Sequence, residues 1–118
     1  MAGLEFSHVV EKKLFELKRK LIEMCDEKRG EKKLSHIMDS IGKLEFFPSA
    51  GVPISVIYDI EPEFEKYRML YVDKNYILYY FEKDVVYITE MYDEREDVAM
   101  KFFGIRTTSQ ETLDYWKE

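Results

Sequence analysis

The stretch Tyr67-Arg68-Met69-Leu70-Tyr71-Val72-Asp73-Lys74-Asn75-Tyr76-Ile77-Leu78-Tyr79-Tyr80-Phe81-Glu82-Lys83-Asp84-Val85-Val86-Tyr87-Ile88-Thr89-Glu90-Met91 decides the fold. It holds three runs of β-branched and aromatic residues, Tyr67–Val72, Tyr76–Phe81 and Val85–Met91, which suit a pleated, half-buried surface. Asp73-Lys74-Asn75 and Glu82-Lys83-Asp84 separate them and carry turn chemistry. Parallel strands need crossovers of a dozen residues or more, so such short links predict hairpins and an antiparallel meander.

Upstream, Val10, Leu14, Leu17, Leu21 and Met24 recur at spacings of four, three, four and three, the face of one helix. Ser7 is its expected N-cap, and Arg29-Gly30 its expected stop. A second helix is predicted with Leu34, Ile37, Met38, Ile41 and Leu44 on one face, ending at Phe46-Phe47-Pro48. Leu4-Glu5-Phe6 suits a short first strand. Residues 49–63 read as irregular chain with an edge strand at Ile54–Tyr58. The acidic run Asp93–Asp97 reads as the solvated start of a short helix through Phe103, which Gly104 breaks. Thr108 and Glu111 suit a capping box for a last short helix carrying Leu113 and Trp116. The expected architecture is α+β: two N-terminal antiparallel helices on one face of an antiparallel sheet, with a short C-terminal helix. The other face of the sheet is expected to stay open for a macromolecule.

The 118 residues suit a single domain spanning 1–118, with 104–118 as its tail. Apolar residues make up 46%, which argues for a core and against disorder. Net charge is −6. Residues 1–45 carry ten basic and nine acidic residues, whereas residues 46–118 carry eight and fifteen. That balance excludes a generic nucleic-acid coater but not a local basic site. No run is long and apolar enough for a membrane span, and the N-terminus lacks the pattern of a secretion signal. A cytoplasmic location is therefore expected. Cys25 reads as a small buried hydrophobe, His8 as exposed, and His36 as a surface or packing residue. Nothing points to a metal or a cofactor. Seven of the nine tyrosines lie between residues 67 and 92. Their first reading is structural, and their second is a recognition surface, since tyrosine offers a rigid stacking face with a polar tip.

The order of elements resembles the RelE/ParE superfamily of bacterial type II toxins, which includes proteins described as plasmid stabilisation proteins. The carrying segments are Leu4-Glu5-Phe6-Ser7, Leu44-Glu45-Phe46-Phe47-Pro48, Tyr67-Arg68-Met69-Leu70, Asn75 to Asp84, and Val86 to Asp97, across residues 4–103. The resemblance implies a toxin neutralised by a cognate antitoxin, alone as a homodimer or in a toxin–antitoxin hetero-oligomer. It implies one of two targets: DNA gyrase, as in ParE-like members, or messenger RNA on the ribosome, cut by RelE-like endoribonucleases. Carried over residue by residue, Arg68, Tyr92 and Arg95 match the nuclease positions as a catalytic set. Leu70, Ile77 and Tyr80 stand where basic groups are expected. Phosphoryl transfer needs cations around the developing charge. The thinned basic set in an acidic segment therefore favours a protein target over nuclease action. Tyr76, Tyr80 and Trp116 are the expected partner-binding residues. A non-toxic α+β binding module is the remaining alternative.

Overall fold

A computed structural model describes residues 2–24 and 26–103. The three predicted runs form β3 (Arg68–Val72), β4 (Asn75–Glu82) and β5 (Val85–Asp93), an antiparallel meander. Both connections are two-residue turns in the left-handed region, with φ of 47° and 67° at Asp73-Lys74 and 50° and 62° at Lys83-Asp84. This is the turn whose twist matches that of paired strands. Two further strands complete a five-stranded sheet of order β1-β5-β4-β3-β2. β1 (Gly3–Phe6) joins β5 in parallel, so the sheet is mixed. β2 (Val52–Pro53) pairs with β3.

α1 (His8–Met24) begins where Ser7 caps it: the Val10 amide donates to Ser7 Oγ at 3.2 Å. The same hydroxyl donates to the Thr89 carbonyl at 3.0 Å, which ties the helix start to β5. Thr89 is the extra residue of a bulge, since Leu78 faces Glu90 while Tyr79 faces Ile88. The bulge shifts the alternation so that Val86, Ile88 and Met91 all enter the same core.

α2 (Glu27–Gly42) is capped by Asp26, which accepts from the Arg29 amide at 2.8 Å. Gly30 is therefore no helix stop. It lies inside α2, and a Cβ there would come within 3.0 Å of the Leu21 backbone. Glycine at this position lets the two helices cross closely near their turn. Val10, Ile37, Ile41 and Leu44 bury against Ile77, Tyr79, Val86 and Ile88 on the helix side of the sheet. Each fully buried aliphatic chain contributes on the order of 1.5–3 kcal/mol.

Two further expectations need correction. Ile54–Tyr58 is not an edge strand: α3 (Ile54–Ile57) is a single helical turn, and only Val52 and Pro53 pair. Nor is the far side of the sheet left open. Ile54, Tyr58, Ile60 and Phe64 fold over it from one direction, and Val98 and Phe102 from the other. They enclose Met69, Leu78 and Tyr92 in a second core. The physical reason is alternation: a strand with apolar residues on both faces needs a cover for each. The expected last helix with Trp116, and Cys25, lie outside the described residues. No helix among the described residues is long and apolar enough to cross a membrane.

Candidate functional site

What the second core leaves half-covered is a stripe of tyrosines. Two-residue turns fix it by counting: Tyr80 and Tyr87 are equidistant from Lys83-Asp84, and Tyr67 and Tyr80 from Asp73-Lys74. Tyr80 stacks on Tyr87 with centroids 4.9 Å apart and planes 24° apart. Tyr67 meets Tyr80 edge-on at 5.3 Å, and Phe102 meets Tyr67 edge-on at 5.1 Å. Lys66 Nζ stands 4.1 Å from the Tyr80 ring centre and 4.0 Å from Glu82. Such ring pairs contribute about 0.5–1.5 kcal/mol each beyond area burial. Burial, and then the neighbouring Tyr80, raise the Tyr67 phenol above its ordinary value. Stacked and edge-on rings with one cation over a ring form a half-exposed aromatic surface on this side of the sheet.

The structure does not bring Arg68, Tyr92 and Arg95 into one constellation. Arg68 lies beside Tyr79, and its Nη1 donates to the Gly51 carbonyl at 2.8 Å and the Ser49 carbonyl at 3.2 Å. Its guanidinium holds the loop that leads into β2. Tyr92 is in the second core, 5% exposed, with Lys13 Nζ 4.4 Å from its ring centre. Burial, then the charge of Glu90, push its phenol far upward, so it is a poor proton donor or acceptor for a reaction. Arg95 follows the end of β5 that pairs with Asn75, four residues along β4 from the level of Arg68. That is about 13 Å along the strand. Its Nε donates to Asp93 at 3.1 Å. The expected cations are thus spent on carbonyls and a carboxylate at two ends of the sheet.

Of the expected partner-binding residues, Tyr80 is central to the stripe. Tyr76 stands further along the far side, 5.2 Å from Tyr71, packed against the second core. Tyr67, Tyr87 and Lys66 went unremarked as a set in the sequence. The signal was present but required the true turn length: reading each turn as three residues slides the register by one.

Lys13 on α1 donates to Glu90 Oε1 at 2.7 Å and to the Met91 carbonyl at 2.8 Å, beyond the end of β1, where β5 lacks a strand neighbour. Asp93, Glu96 and Asp97 turn inward as loop caps, accepting from the Arg95, Asp93 and Met100 amides. Arg95 lowers Asp93 below the usual carboxylate range, and Lys101 does the same for Glu96. No cluster of His, Cys, Asp or Glu suited to a metal occurs among the described residues.

The chain is similar in structure to a solved chain from the chromosomal ParDE TA system of P. aeruginosa. The TM-score is 0.62 at 13% identity, covering 79% of this chain and 96% of that chain. The fold is RelE/ParE-like. At that identity the RelE/ParE-like likeness is one of architecture, and the stripe must be argued on its own chemistry. No family model matches the chain, and no curated protein matches it in sequence.

Proposed function

We propose that this chain is the toxin of a type II toxin–antitoxin system, that it acts by binding a protein target, DNA gyrase, and that a cognate antitoxin neutralises it. The observation that carries this reading is the Tyr67–Tyr80–Tyr87 stripe on a RelE/ParE-like sheet, away from any converging set of cations. Protein recognition uses such rigid aromatic surface. Cutting RNA would instead demand positive charge focused on one phosphate, and Arg68 and Arg95 are turned to other tasks. The similar protein of the ParDE system supports the toxin–antitoxin assignment by fold.

Inducing the chain in bacteria without its genomic neighbour tests this. Growth should slow and plasmid supercoiling should relax, and a Tyr80→Ala, Tyr87→Ala variant should lose both effects while staying folded. Normal growth overturns the proposal. Cuts within translated codons, mapped from transcript ends, would transfer the assignment to a ribosome-dependent endoribonuclease.

A further inference from the structure

At the turn end of the helical pair a groove of about 460 Å³ opens between α1, α2 and the tips of the meander. Its floor is aliphatic: Leu17, Leu21, Met24 and Ile37. Met24 is 72% exposed, a long unbranched apolar chain left in water at the mouth. The rim carries four cations: Lys20, Lys33, Lys74 and Arg95. A shallower cleft beside it adds Arg29, Lys32 and His36.

Three carboxylates also line the groove, and each is engaged. Asp73 Oδ2 lies 2.6 Å from His36 Nδ1, Asp93 Oδ1 accepts from the Arg95 amide and Nε, and Glu94 accepts from the Tyr71 hydroxyl at 2.7 Å. Lys20, Lys33 and Lys74 have no ion-pair partner within 4.0 Å among the described residues, though Lys20 lies within range of the Asp93 charge. Four basic side chains against three acidic ones around an apolar floor are a local reversal in a chain of net charge −6.

We infer that this groove is a docking site for an acidic peptide segment of a partner protein, one apolar side chain seated on Leu17, Leu21 and Met24 and flanking carboxylates held by Lys20, Lys33 and Lys74. The aliphatic floor selects a peptide over a nucleic acid. Single strands are held by stacking on aromatic rings, and no aromatic residue lines this groove. The surplus of acid elsewhere on the chain also opposes a long polyanion. Methionine at the mouth adapts its shape to different apolar side chains. The inference does not depend on the tyrosine stripe or on toxicity.

Selection of random twelve-residue peptides displayed on phage against the full chain tests it. The expected consensus places Asp or Glu on both sides of a Leu, Ile, Phe or Met. Synthetic peptides of that consensus should bind about tenfold more weakly to K33E/K74E, and likewise to Met24→Ser, with affinity falling as salt rises. Exposed lysines tolerate reversal, and circular dichroism of both variants checks the fold. A consensus without acidic residues, or peptides that bind the variants as well as the parent, would overturn the site. So would a single-stranded RNA 20-mer that binds the parent but not K33E/K74E, because the groove would then take nucleic acid.

Discussion

Tyr79 is fully buried, yet its hydroxyl has both a donor and an acceptor role: it donates to the Pro48 carbonyl at 2.8 Å and accepts from the Gly51 amide at 2.7 Å. Tyr79→Phe would leave a buried amide without a partner, at a cost of about 1–3 kcal/mol in urea unfolding. Gly51 is needed at the same spot for space rather than for backbone freedom. A Cβ there would stand 2.6 Å from Tyr79 Oη and 2.7 Å from Tyr79 Cε1. Gly51→Ala should therefore destabilise by about 2–3 kcal/mol, because the ring is held by packing and cannot swing away. Arg68 belongs to the same knot through its bonds to Ser49 and Gly51. The family resemblance implied phosphate chemistry for it, but only the fold shows what its guanidinium holds.

Among the elements, the two hairpin turns carry a local cost. Asp73, Lys74, Lys83 and Asp84 sit at positive φ without being glycine or asparagine. The left-handed region costs such residues about 1–2 kcal/mol. Asp84→Gly should raise stability by about 0.5–1 kcal/mol, seen as a higher melting temperature, since the Asp84 backbone carbonyl that accepts from Gly3 remains. The helical pair gives the opposite sign. Gly30→Ala gains about 1 kcal/mol of helix propensity, but its methyl would press on the Leu21 and Ile22 backbone at 3.0–3.1 Å. Backbone cannot rotate aside, so the expected net effect is a loss, read from the same melts. Both helices and all three meander strands were legible because each repeats its apolar residues at the period of its own geometry. The helix boundary was missed because Gly30 carries the chemistry of a stop, while Asp26 was the true cap. β1's parallel pairing was illegible because no local pattern names a strand's neighbour.

For the whole molecule, titration should reveal how the two cores are held. Burial raises the phenols of Tyr58, Tyr67, Tyr79 and Tyr92 in the folded state. A raised group contributes stability that is complete below its unfolded value near 10 and is lost as pH rises through the folded one. Urea midpoints should thus fall as pH rises above about 10, and Tyr92→Phe should flatten that fall. At the acid end the sign reverses. Asp93 and Glu96 are lowered, so their contribution is present above the ordinary carboxylate range and fades as pH drops below it. Asp93→Asn should reduce that acid dependence.

The sequence by itself determined the meander, the two helices, the surplus of acid after residue 45 and the concentration of tyrosine on the sheet. All of these follow from local periodicity and composition, which a chain carries before it folds. Only the tertiary structure decided that both faces of the sheet are covered and that the nuclease-like residues stay apart. It also decided that Tyr67, Tyr80 and Tyr87 line up and that lysines from two helices and a hairpin meet around one groove. Those facts depend on register and on which distant segments pack together. A shift of one residue in pairing turns every side chain to the opposite face.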